Sequence, residues 1–397
     1  MILLMKKSIL IFIIFGSLAS RAQSIDIQYA QTSRQKGSSD AVIVKNVPLA
    51  HTSQIFSLDK RGKFVFKGKL QKQLEQIFGN LSKALDIADS GLEQIVKLNI
   101  YLKNTSLIPE VQTEIIRQFN SDKLPAVSYV TGDLSHPDAL VSIDAIAVSS
   151  NFSEKFVKYL YSGSAQVSIL PPGPVVYVSG QAAKGNLAEA TLNTLKQLEE
   201  TLHFLGLEKR DIVQIKSFIN PISDLSTVQN VMAEFFKGGT IPPLVNVEWL
   251  SKDPLIEIEL IASSNRTLSK SNEQIDFITP KGMVHSPVYS KVTRVNYGSK
   301  VYVSGLYGNT ERGIKSELSD IFDFLDLIMK QSGSDLKHLL KATYYVNTDL
   351  HSAALNEIRP KYYDAKRPPA ASKAMVKDVG SLKAGVGIDM IGVVIEK

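Results

Sequence analysis

The chain has 397 residues, 44% of them hydrophobic and 21% charged, and no cysteine. That length and apolar content support several packed cores, and the missing thiols exclude disulfides, thiol catalysis and cysteine-based metal sites. The formal charge is +6, but Lys6, Lys7 and Arg21 stand in a leading segment without acids, so the remainder is near +3, too mild to argue for a nucleic-acid partner.

Residues 1–22 read as a signal peptide: Lys6 and Lys7 form the basic start, residues 8–18 the apolar stretch, and Ser20 and Ala22 the small residues for cleavage before Gln23. The apolar stretch is shorter than the roughly 20 residues a spanning helix needs. The expectation is export, periplasmic or secreted, with no stable membrane insertion after cleavage. Residues 23–40 are polar and read as a flexible lead-in.

Beyond them the chain repeats itself. The strand-like run Val175-Val176-Tyr177-Val178-Ser179-Gly180-Gln181 returns as Val301-Tyr302-Val303-Ser304-Gly305-Leu306, and Phe64-Val65-Phe66-Lys67-Gly68-Lys69 reads as a weaker copy. Each copy leads into apolar residues spaced by three and four, the period of one helix face. These are Leu70, Leu74, Ile77, Leu81 and Leu85, then Leu192, Leu195, Leu198, Leu202 and Leu205, then Ile314, Leu318, Ile321, Leu325 and Ile328. A strand, a second helix, a Pro-led segment and a closing strand follow each time, so one module is written three times. Module one spans 41–150, module two 155–263 and module three 277–397, with a polar linker at 264–276. Hairpin turns are expected at Asp59-Lys60-Arg61-Gly62, Pro171-Pro172-Gly173-Pro174 and Asn296-Tyr297-Gly298. The closing strands share a central acid, Asp144, Glu259 and Asp389, at spacings of 115 and 130 residues. Because all three modules keep it, it reads as a satisfied structural acid.

Each module resembles the reactive intermediate deaminase family (Rid, also called YjgF or L-PSP). The family's Ser-Gly-Gln strand end is matched by Ser179-Gly180-Gln181, and its Pro-Ala-Arg-Ser segment, without the arginine, by Pro125-Ala126-Val127-Ser128 and Pro369-Ala370-Ala371-Ser372. Its closing strand is matched by Ile256-Glu257-Ile258-Glu259-Leu260-Ile261-Ala262. The resemblance implies an α+β fold of three tandem chorismate-mutase-like modules, each a mixed sheet with two helices on one face. Packing three sheets together covers their bare faces, so the expected assembly is an intrachain pseudo-trimer, monomeric overall, with ligand clefts between modules.

Family enzymes hydrolyse small imino acids without a cofactor, gripping the substrate carboxylate with the arginine of that segment. Here the position falls on Val127, Leu244 and Ala371, so every copy has lost it. Lys373, two residues past Ala371 and on the same strand face, is a substitute point charge at best, a solvent-facing lysine being the favoured reading. The family acid survives only as Glu257, against Ser142 and Gly387, and is the candidate for water activation. Carried over as ligand-binding candidates are Ser179, Gly180, Gln181, Ser304 and Gly305, with Lys67 at the first module's serine position. Tyr289 matches the cleft tyrosine, with Thr52 in its place in module one, and Asn356 matches the asparagine of the second helix, against Gln112 and Gln229. Each also has a plainly structural reading, as turn, surface or packing residue.

The six histidines show no close ligand spacing, and no phosphate loop, dinucleotide fingerprint or nucleophile elbow is present, so neither metal nor cofactor is expected. Three functions remain open. Loss of the arginines favours a degenerate member that binds a small, uncharged or amine-bearing metabolite. Survival of Glu257 keeps open a divergent imine deaminase. The degraded first module allows a structural or partner-binding scaffold.

Overall fold

The computed structural model describes residues 27–30, 36–267, 269 and 271–396; the expected signal peptide lies outside the described residues. Module one contributes β1 (Ile27–Ala30), β2 (Ala41–Val44), β3 (Leu49–Thr52), α1 (Leu70–Asp86), β4 (Ile95–Leu102), α2 (Ile108–Gln118), β5 (Ala126–Thr131) and β6 (Val141–Val148). Module two repeats the order as β7 (Lys158–Ser162), β8 (Ala165–Leu170), β9 (Val175–Gln181), α3 (Leu187–Phe204), β10 (Ile212–Ile219), α4 (Leu225–Phe235), β11 (Leu244–Glu248) and β12 (Ile256–Ser263). Module three gives β13 (Ile275–Ile278), β14 (Val292–Val295), β15 (Lys300–Val303), β16 (Leu306–Tyr307), α5 (Ile314–Gln331), β17 (Leu339–Val346), α6 (Asp349–Ile358), β18 (Ala370–Met375) and β19 (Val386–Val393).

The expected heptad-like rows build the helix faces. Leu74, Ile77, Leu81 and Leu85 of α1 are fully buried on their sheet, as are Leu318, Leu325 and Ile328 of α5. Leu192 departs from its row and is 37% exposed, because α3 starts at Leu187 and turns Leu187, Ala190 and Leu195 inward instead. Asn186 caps α3 by accepting from Glu189 N–H, one of the N-terminal donors a helix leaves open. The closing strands β6 and β12 and the middle strands β4, β10 and β17 are buried along almost their whole length. Strands buried on both faces need cover on both. Helices supply one side, and a shared core drawing Val42, Leu49, Tyr177, Val213, Tyr302 and Leu340 from all three sheets supplies the other.

The pairing of the opening strands departs from expectation. The three sheets run β5-β4-β6-β3-β8-β7, β11-β10-β12-β9-β14-β13 and β1-β2-β15-β19-β17-β18. Each module's first two strands therefore extend the sheet of another module: β7–β8 lies beside β3, β13–β14 beside β9 and β1–β2 beside β15. The turns at Pro171-Pro172-Gly173-Pro174 and Asn296-Tyr297-Gly298 join strands of different sheets, not the arms of a hairpin. Ile27–Ala30 belongs to this exchange, so part of the expected lead-in is a strand, as is the end of the expected linker from Ile275.

The shared acids face this centre. Asp389 accepts Lys97 Nζ at 2.7 Å, linking modules three and one, and Glu259 accepts Lys341 Nζ at 2.6 Å, linking two and three. Asp144 accepts Asn99 Nδ2 at 2.9 Å and the Tyr101 hydroxyl at 2.8 Å. Burial pushes the Asp389 carboxyl up, but Lys97, Lys216 and Lys341 outweigh it and hold it below the usual range.

Candidate functional site

The edge strands β5, β11 and β18 each lie against the end of another module's third strand, and this makes three clefts. In the cleft between modules two and three, the Ser179 hydroxyl donates to Ser290 O at 2.6 Å and accepts Ala371 N–H at 2.6 Å. Gly180 N–H donates to Ser372 Oγ at 3.1 Å. Modules three and one meet likewise, the Ser304 hydroxyl donating to Ser39 O at 2.6 Å and accepting Val127 N–H at 2.8 Å. Modules one and two meet where Gln54 N–H donates to Leu244 O at 3.0 Å.

Register against the closing strands decides which residues correspond. Tyr177, Tyr302 and His51 face Ile261, Ile391 and Ile146, so Ser179, Ser304 and Ser53 are equivalent. The first copy of the strand motif is thus Leu49-Ala50-His51-Thr52-Ser53-Gln54. Phe64-Val65-Phe66-Lys67-Gly68-Lys69 is instead a loop leading into α1, tied back by a Leu58–Phe64 bridge. Thr52 lies on β3, and by the register of β2 and β14 the residue matching Tyr289 in module one is Ser38.

In all three clefts one backbone N–H, two residues past the position of the lost arginine, is capped, each time by a different side chain. Glu257 accepts Lys373 N–H together with the Ser372 hydroxyl. Between modules three and one, the Tyr307 hydroxyl accepts Tyr129 N–H at 2.8 Å and donates to Tyr129 O at 2.9 Å. Gly387 makes room for it, since a Cβ there would come to 2.9 Å from the Tyr307 ring. Between modules one and two, Gln54 Oε1 accepts Asn246 N–H at 3.2 Å while its Nε2 donates to Ser142 Oγ at 2.8 Å. One cleft keeps an acid; the others fill its place with neutral groups.

Burial and then the neighbouring Glu259 push the Glu257 carboxyl up to about 8, against the pull of Ser372, the Lys373 N–H and the Lys373 ammonium. It is therefore mostly protonated at neutral pH. A Cβ on Gly180 would land on Glu257 Oε1, so the glycine of the strand end is needed for the carboxyl to lie against the backbone. Beside it, Asn356 Oδ1 accepts Arg359 Nη2 at 2.6 Å and Lys373 Nζ at 3.2 Å. The Arg359 guanidinium lies over the Tyr344 ring, 4.9 Å from its centre. Of Glu257, Asn356, Arg359 and Lys373, only the partly buried Lys373 lines a cavity of about 710 Å³, with Trp249 and Lys252 of module two and Thr348, Asp349 and Met375 of module three. The other two clefts hold cavities of about 730 and 450 Å³.

The family model described as Endoribonuclease L-PSP matches the chain three times, over residues 35–149, 161–264 and 283–394. The chain belongs to the L-PSP family, also called YjgF or Rid. It is similar to the RutC family protein PH0854 of Pyrococcus horikoshii, 32% identical over 91 residues that cover 22% of this chain and 71% of the relative. It is also similar to a RutC family protein of Aquifex aeolicus, 31% identical over 122 residues, covering 29% and 95%. Among solved structures, the Rid protein YyfB of Yersinia pestis aligns at 21% identity and a TM-score of 0.29, covering 31% of this chain and 98% of its own.

The Rid positions singled out from sequence divide between clefts. Glu257, Ser179, Gly180, Asn356 and Tyr289 gather between modules two and three, where Tyr289 packs on the core of module three and its hydroxyl accepts Lys291 Nζ at 2.6 Å. Ser304 and Gly305 belong to the cleft between three and one. Gln181 turns away, donating through Nε2 to Thr201 Oγ1 of α3 at 2.8 Å. Ser179 and Ser304 are buried and engaged as both donor and acceptor, tying modules together. Of the lost-arginine positions, Val127 and Ala371 are buried and Leu244 partly so. Sequence reasoning missed Arg359. Its signal was an arginine in a buried helical row: Leu355, Val111 and Val228 align, which places Arg359 with Ile115 and Met232.

Proposed function

We propose that this Rid protein is an exported, single-chain counterpart of the family's trimers that binds one small molecule, without turnover, in the cleft between modules two and three. The observation that carries the reading is the unequal fate of the family acid in the three clefts: Tyr307 and Gln54 put neutral side chains in its place in two of them, while the third retains Glu257 against the Lys373 N–H. Binding without hydrolysis is favoured because the arginine that grips the family's substrates is missing: Ala371 stands at its position in this cleft, beside the surviving Glu257. Its oxygens are also already engaged by Ser372 and Lys373.

Met375 lines the same cavity as Lys373, and its methyl reports on a molecule bound against Lys373. In a methionine-methyl NMR titration with propanamide and propanoate, the Met375 resonance is expected to shift while that of the core residue Met329 stays in place. A Met375 resonance unmoved by either probe contradicts the reading. The second reading, imine hydrolysis, is supported by the retained Glu257. It requires activity that rises with pH through about 8, as the carboxylate forms.

A further inference from the structure

The cavity of about 450 Å³ between modules one and two has a different chemistry from the other two. Gln54 in the acid's place and Leu244 in the arginine's both line it, so neither charged group of the family remains. Amides and hydroxyls stand there instead. α1 contributes Gln76 and Asn80, β8 Gln166, α4 Gln229 and β11 Asn246. The charged groups of the wall lie outside this set: Lys60 and Lys83 are exposed, and Asp59 Oδ1 is tied to its own turn, accepting Arg61 and Lys63 N–H at 2.8 and 2.9 Å.

The amides are held in place and yet keep groups open. Gln76 Nε2 donates to Leu58 O and to Asn80 Oδ1, each at 3.0 Å, and Asn80 Nδ2 donates to Leu58 O at 2.9 Å and Phe56 O at 3.2 Å. From module two, Gln166 Nε2 donates to Ile241 O and the Tyr161 hydroxyl. Among the described residues the Oε1 atoms of Gln76 and Gln166 accept no hydrogen bond, and the Asn246 and Gln229 side chains make none. Fixed acceptors and free amides therefore share one cavity, and an amide both donates and accepts.

Neighbouring hydroxyls on a saturated ring match this set, because each hydroxyl also donates and accepts. An ionised ligand would meet no buried counter-charge, and a wholly apolar one would strip water from the amides without replacing its hydrogen bonds. Phe56, Leu225 and Leu244 offer apolar surface for the C–H faces of such a ring, and the volume is that of a small-molecule site. We infer that the cleft between modules one and two binds a neutral sugar as a single hexopyranose ring. This is a second site, independent of the cleft between modules two and three.

The methyls of Leu225 and Leu244 report on it in an NMR titration with glucose, galactose and N-acetylglucosamine, beside tetrahydropyran, a ring without hydroxyls. At least one sugar is expected to shift both residues' resonances saturably and to bind about tenfold or more tighter than tetrahydropyran. Maltose beside glucose separates the end of a sugar chain from a free sugar. Asn246→Ala and Gln229→Ala remove amides that hold nothing in the fold, and each is expected to weaken the sugar about two- to tenfold, the effect of one hydrogen bond. Resonances that no sugar moves, or tetrahydropyran binding as tightly as every sugar, overturn the inference with the wild-type chain alone. Sugar affinity unchanged in both variants also overturns it.

Discussion

Glu257 holds a proton in the folded chain at pH values where an ordinary carboxyl has lost it, because burial and Glu259 raise it from 4.5 to about 8. A folded state that binds a proton the unfolded state has released loses stability as pH rises through that window, and loses no more above the folded value. Glu257→Gln keeps the shape and removes the titration. Chemical denaturation of wild type and variant should therefore show the variant gaining relative stability from about pH 5 to about pH 8, then a constant difference. A difference that stays flat across that range contradicts the raised carboxyl. Arg359 shows the limit of reading residues one at a time. The family comparison directs attention to the strand position where the arginine is missing, and a buried arginine at the row position of Ile115 and Met232 is visible only once the three second helices are set in register.

Helices and strands were legible where a period was repeated. The rows of α1 and α5 follow from spacings of three and four, and the closing strands from their shared acid. The first strand copy was misread because Thr52-Ser53-Gln54 lacks the glycine that marks Ser179-Gly180 and Ser304-Gly305, whereas Lys67-Gly68 offers one in a loop. Only pairing with β6 settles the matter. The exchange of opening strands was not legible at all, since β2, β8 and β14 are equivalent apolar strands and any of them satisfies the edge of β3, β9 or β15. Its consequence is testable. Residues 155–263 alone would lack β13–β14 beside β9 and carry β7–β8 with no sheet to join, leaving unpaired edges. That fragment is expected not to fold as a monomer, giving either an unfolded chain or an association product in size-exclusion chromatography and circular dichroism. A folded, monomeric fragment would show that the opening strands return to their own sheet.

At the scale of the molecule, three copies of one module keep a common frame and differ in the side chains of their clefts. The central pairs Lys97–Asp389 and Lys341–Glu259 and the shared apolar core bind the sheets to one another. Breaking such a buried pair on one side typically costs about 3–5 kcal/mol, which accounts for the acids of β12 and β19, while Asp144 of β6 is held by Asn99 and Tyr101. The clefts differ between copies: a tyrosine takes the acid's place on the backbone N–H in one, a glutamine in another, and one keeps its acid. Covalent linkage is what permits this, because three identical subunits could not specialise one cleft alone. The direct test of binding without turnover is ammonia release from freshly generated 2-iminopropanoate, with wild type and Glu257→Ala side by side at neutral pH. No ammonia above buffer from either is the predicted result; release by the wild type that disappears in the variant would contradict the account and make the surviving cleft a working deaminase.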